Sequence, residues 1–360
     1  MNSRRTFLQG AAAAAAIGIG APLRAGRAAV KPGRNLPYIP IEDIPNHRQY
    51  MRELVTALSD YCKKRRGDMA VLVRNGPELL IKEQREDDWQ QARDPDGYAM
   101  GRYAAVGSPD GPYLAAIDGI LIDGPFYGRE KYDQPTRADD AAVLASCAEL
   151  MHREGRRALS IDYCKDPKHG ADAAARAKKA HLLAYIDGSG DKSLAHIPAA
   201  PPATDNPVHI TDLSKAQNFL PLFSANAFPR RDLWFDALAA TNYDILILDP
   251  FWRGSSMTIQ DVRALKFKRL GSQRLVFATL PLGTAAVDRF YWQRSWHVGA
   301  PDFIAAADPD DTSRFITHYW LDSWKKVLGN YVTGLCDLGI DGIVFDGLES
   351  YLYFEAMMPI

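Results

Sequence analysis

Asp123, Asp162, Asp187, Asp249 and Asp346 each follow a short apolar run, and Asn75 follows a sixth. Glu349 comes soon after Asp346, in the stretch LCDLGIDGIVFDGLESY over residues 335–351. There Gly339 reads as a helix stop and residues 343–345 as a buried strand that presents acids at its end. In α/β sheets and barrels, ligands bind at the carboxyl ends of parallel strands. Carboxylates held close raise one another's pKa, so one stays protonated beside an ionised partner. Such pairs suit glycoside hydrolysis, in which one carboxyl protonates the leaving oxygen and the other is base or nucleophile. A lone strand-end Asp is more often a helix cap or turn residue. Recurrence on most of the strands is what points to a shared pocket.

Aromatic faces that could hold a sugar are Phe290, Tyr291, Trp292, Trp296, Tyr319, Trp320 and Trp324, with Phe126 and Tyr127 on another loop. Packing of the outer helices is their alternative role. Asp288-Arg289 could pair with or orient an acid. An oxygen-ligand metal site on the Asp ring is a competing chemistry. The histidines are scattered, with no H-E-x-x-H, so transition-metal catalysis is disfavoured, and no cofactor is expected. No Walker motif, nucleotide glycine fingerprint or G-x-S-x-G elbow occurs.

Positioning these residues requires a repeated unit. Strand-like runs fall at residues 69–73, 117–122, 157–161, 182–186, 219–223, 243–248, 274–280 and 342–345. Helical sequence covers residues 46–61, 139–154, 171–180, 232–240, 259–268 and 320–335. In the first helix Met51, Leu54, Val55, Leu58 and Tyr61 make the apolar stripe. Eight such units predict a single (β/α)8 barrel over residues 46–360. Residues 87–112 read as a long loop and residues 284–320 as a Trp- and Tyr-rich insertion.

Residues 1–29 read as an export signal: a twin-arginine pattern at residues 3–8, an Ala-rich apolar run, then small residues. That run is too short and too Ala-rich for a good membrane anchor. Residues 30–45 form a Pro-rich leader. The formal charge of −1 falls by four to about −5 without the signal's four Arg, which argues against nucleic acid as a partner. Cys62, Cys147, Cys164 and Cys336 show no C-x-x-C spacing and are expected as buried apolar thiols.

Several segments resemble glycoside hydrolase family 114, whose barrels include endo-α-1,4-polygalactosaminidases. They are Ala216-Gln217-Asn218-Phe219-Leu220, Thr241-Asn242-Tyr243-Asp244 through Asp249, Leu265-Lys266, Arg274-Leu275-Val276, Asp288-Arg289-Phe290-Tyr291-Trp292, Tyr319-Trp320-Leu321-Asp322-Ser323-Trp324 and Gly339-Ile340-Asp341-Gly342-Ile343-Val344-Phe345-Asp346. In that family the last motif lies mid-chain, whereas here it is close to the end. Pieces resembling what should follow it, at residues 47–62, 71–76 and 117–124, lie at the start. A circular permutant is implied, with residues near 45 beside residues near 358. An acidic segment of the family reads Gly283-Thr284-Ala285-Ala286 here. Together these readings assign catalysis to Asp346, Glu349 and Asp249. They assign polysaccharide binding to Asn75, Asp123, Asp162, Asp187, Asp288, Arg289, Tyr291, Trp292, Trp320, Asp322 and Tyr351. A non-catalytic carbohydrate-binding barrel is the other reading of the lost acids.

Overall fold

A computed structural model describes residue 40 and residues 43–358. The expected export signal, and most of the leader, lie outside the described residues. The frame is eight parallel strands: β1 (Ala70–Arg74), β2 (Gly119–Asp123), β3 (Arg157–Tyr163), β4 (Leu182–Asp187), β5 (Phe219–Leu222), β6 (Ile245–Leu248), β9 (Leu275–Pro281) and β13 (Gly342–Asp346). A small hairpin, β7 (Phe251–Trp252) and β8 (Ser255–Ser256), follows β6. The ladder runs β4-β3-β2-β1-β13-β9-β6-β5. Its two end strands, β4 and β5, lie side by side without a shared ladder. The sheet is thus a nearly closed barrel of the expected TIM type.

Outer helices are α1 (His47–Arg65), α4 (Gly111–Ala116), α5 (Ala138–Arg153), α6 (Pro167–Lys179), α7 (Arg231–Ala239), α8 (Ile259–Leu265) and α9 (Asp322–Leu338). Helix α1 starts on an Asn46 cap and buries Met51, Leu54, Val55, Leu58 and Cys62. The stripe therefore ends on Cys62, not on the expected Tyr61, which is exposed. Residues 87–112 are not one loop. They hold most of α2 (Gln84–Arg93), then α3 (Pro95–Ala99) and the start of α4. Helices α2 and α3 lack an apolar stripe and rest on caps, the Glu83–Glu86 capping box and the Asp94 side chain. No α-helix separates β4 from β5, where residues 188–218 hold only a short 3₁₀ turn. The aromatic insertion holds a three-stranded antiparallel sheet of β10 (Thr284–Ala286), β11 (Ile304–Ala307) and β12 (Arg314–Thr317).

The two ends of the described region meet, as expected. Arg48 on α1 makes a two-point contact of 2.8 and 3.0 Å with Glu355 on α10 (Tyr351–Glu355). Tyr319 donates to the His47 carbonyl at 2.8 Å, and the His47 ring stacks 5.3 Å from Phe354. No helix among the described residues is long and apolar enough to cross a membrane.

Candidate functional site

Strand alternation decides which end residues share the barrel mouth. On β1 the odd partner is Arg74, which donates to Asp123 at 2.5 Å and to Asp346 at 3.0 Å. Its guanidinium also lies 4.4 Å over the ring of Phe223, just past β5 on the far side of the barrel. Arg74 therefore crosses the mouth. The paired register puts Tyr163 beside Asp187 and Ile161 beside Asp123, so Tyr163 and Asp187 face inward as well. Lys192 lies 5.2 Å over the Tyr163 ring and donates to the Arg129 carbonyl at 2.7 Å. Asn75 pins the edge of this group. Its amide donates to Asp123 at 3.2 Å, and its oxygen accepts the Asp123 N–H at 2.9 Å.

Asp249 enters from β6, two strands from β13. It accepts from Arg289 at 2.7 Å, and Arg289 also holds the exposed Asp288 at 2.9 Å. The two main carboxylates have opposite electrostatics. Burial opposes ionisation of Asp346, but Arg74, the Gly347 N–H and Arg314 outweigh it and hold it below the ordinary range. Burial wins at Asp249 and raises it, although Arg289 pulls the other way. Asp187 is also raised by burial, against hydrogen bonds from Ser189. Asp346 is held towards its ionised form while burial pushes Asp249 towards protonation, and acid–base work draws on such a division.

Other expected site residues sit apart. Asp162 alternates to the helix-facing side of β3, where its Oδ1 accepts the Phe126 and Tyr127 N–H groups at 2.8 Å each. Burial pushes its pKa up to about 7. Asp162 therefore holds a loop and does not join the mouth. Glu349 follows the turn at Gly347 (φ 67°) and neighbours Glu78, a buried acid. Burial first, then Glu349, push Glu78 up to about 7, and Tyr351 donates to it at 3.1 Å. Tyr351 is thus a buried partner of Glu78. Among the described residues Tyr291 donates no bond to the mouth. Its hydroxyl accepts the Ala286 N–H at 3.1 Å, and burial pushes it up to about 12. Trp292 stacks on Phe315 at 5.1 Å, and Trp320 packs 4.9 Å from His47. Asp322 is an exposed residue at the start of α9, 3.6 Å from Lys325. These aromatics follow the packing alternative.

Sequence reading missed Arg74, Tyr163, Phe223, Lys192 and Glu78. The available signal for Arg74 was its place beside Asn75 at a strand end. Glu78 lies in a Pro-led 3₁₀ turn, Pro77–Leu80, with nothing in its spacing to mark burial.

No protein-family model matches this chain. Curated relatives of low identity do. An uncharacterised protein of Thermotoga maritima is 25% identical over 117 residues, 32% of this chain and 36% of the relative. One of Deinococcus radiodurans is 29% identical over 117 residues, with the same two shares. One of Methanocaldococcus jannaschii is 24% identical over 150 residues, 41% of this chain and 42% of the relative. The chain thus spans less than half the length of the curated relatives it matches.

Chemically, the mouth offers an ionised carboxylate, a carboxyl biased to neutrality and cations that orient both. Arg74 Nε, Asp123 Oδ1 and Arg289 Nε are buried without a partner among the described residues. Such groups are costly unless something pairs with them.

Proposed function

We propose that this barrel is a glycoside-hydrolase-like enzyme that cleaves a polysaccharide, with an α-1,4-linked galactosamine polymer as the first candidate. The observation that carries the reading is the pair Asp346 and Asp249, inward-facing and biased in opposite directions by Arg74 and by burial. Asp346 acts as base or nucleophile, and Asp249 protonates the leaving oxygen. Arg74 Nε, Asp123 Oδ1 and Arg289 Nε receive sugar hydroxyls. Asp187, Tyr163 and Lys192 line the same mouth. Glu349 and Glu78 form a second carboxyl pair apart from this mouth, so Glu349 passes from the catalytic set to a supporting role.

The segment 283–286 favours a second reading, a barrel that binds carbohydrate without cleaving it. In place of an acidic run it holds Thr284-Ala285-Ala286, buried as β10. The metal-dependent alternative is less well supported, because the Arg74 guanidinium stands between Asp123 and Asp346 where a cation would sit. We also propose that the chain is a circular permutant of its family and is exported through the twin-arginine route.

The test is a panel of α-linked galactosamine polymers and other exopolysaccharides. Reducing-end release and binding are measured in parallel for wild type, Asp346→Asn and Asp249→Asn. Release by wild type that both variants lose supports hydrolysis. Binding without release supports the second reading. Release undiminished in both variants removes the assignment.

A further inference from the structure

Helices α1 and α9 lie side by side at the seam where the two ends of the described region meet. Two polar contacts set their register. Tyr61 and Thr333 hydroxyls are 2.8 Å apart, and Arg65 donates to Asp337 at 3.0 Å. Cys62 and Cys336 fall between these contacts. Each thiol is the other's foremost electrostatic neighbour. Cys62 is fully buried and Cys336 is 5% exposed, two residues from the end of α9. The other cysteines are different. Cys147 and Cys164 are buried and face acids, Glu78 and Asp162 respectively, which with burial hold both as thiols.

We propose that Cys62 and Cys336 are a dithiol site that a small external disulfide converts to an intramolecular disulfide, tying α1 to α9. This goes beyond the reading of all four cysteines as buried apolar thiols, and it does not depend on the proposed hydrolysis. The attacking sulfur is Cys336. Its thiolate is favoured by the Cys62 thiol, then by Arg65 and Arg66, against burial. It is also the more exposed of the two sulfurs, 5% against none for Cys62. The Cys336 thiolate attacks one sulfur of R–S–S–R and expels one thiolate, leaving a mixed disulfide. Cys62 then attacks the Cys336 sulfur, and the second thiolate leaves with the Cys62 proton as R–SH. The protein dithiol loses two electrons, and R–S–S–R becomes two R–SH. The bridge closes nearly the whole barrel into one covalent loop, which constrains the unfolded chain strongly.

The full chain is incubated folded with cystamine or with a phosphine reductant, then denatured, alkylated with iodoacetamide and mapped by peptide mass. The expected result is a linked pair of peptides holding Cys62 and Cys336, with Cys147 and Cys164 alkylated. The oxidised protein should also melt at a higher temperature than the reduced one. Cys62→Ser and Cys336→Ser should each abolish the link and the shift in melting temperature, and the wild-type arms decide the matter even if a variant does not fold. Alkylation of all four cysteines after oxidation, a link through Cys147 or Cys164, a mixed disulfide that never resolves, or an unchanged melting temperature would each overturn the proposal.

Discussion

Arg74 holds Asp123 and Asp346 together across the barrel mouth, so its loss leaves two carboxylates facing each other. Arg74→Met is expected to cost about 3 kcal/mol of stability, as when one partner of a largely buried ion pair is removed. It should also move the acid limb of the pH–rate profile upward, because Asp346 loses the cation that keeps it ionised. A profile that keeps its acid limb would contradict that role. Glu78 gives a separate test with a definite sign. Its pKa is raised from 4.5 to about 7, so the folded state binds more protons than the unfolded state between those values. Its contribution is full below pH 4.5 and is lost as pH rises towards 7. Urea midpoints across that window should therefore fall in wild type relative to Glu78→Gln.

At the scale of elements, the contact between α1 and α10 does what a continuous chain does elsewhere in the barrel. Arg48 and Glu355 are both largely buried, and Arg48→Ala is expected to lower stability by about 3 kcal/mol, read from the urea midpoint. His47 lies in the same seam with neither ring nitrogen partnered among the described residues. Burial, then Arg85 and His318, lower its pKa from 6.5 to about 4, so here the unfolded state binds more protons in that window. Its contribution is full above pH 6.5 and is lost as pH falls towards 4. Wild type should thus lose stability relative to His47→Phe as pH falls from 6.5 to 4. The eight strands were legible because buried parallel strands are continuous apolar runs, such as Ile245–Leu248. Helices α2 and α3 were not legible, since segments such as QREDDWQQAR carry no apolar stripe. Strand-end acids could be found by position. Their sidedness depended on register, and for that reason Asp162 was grouped with residues on the opposite face of the sheet.

For the whole molecule, closure of the ring by α1 and α10 means that continuity of the chain at this seam is dispensable. A rearranged chain joining residue 358 to residue 46 and opened within residues 198–207, beside the unladdered β4–β5 seam, is expected to fold cooperatively and melt close to wild type. Aggregation or loss of cooperative melting would count against that view. The barrel itself was readable from its repeat. The small sheet of β10, β11 and β12 was not, because its strands are only three or four residues long and lie among scattered aromatics. The central claim is that the mouth performs chemistry as well as binding. The most direct measurement compares kcat and Kd for wild type and Asp346→Asn on one polymer at saturation. The account predicts that kcat falls at least about 100-fold while Kd changes little, as when a group acting in the transition state is removed. Equal kcat in the two proteins would contradict it.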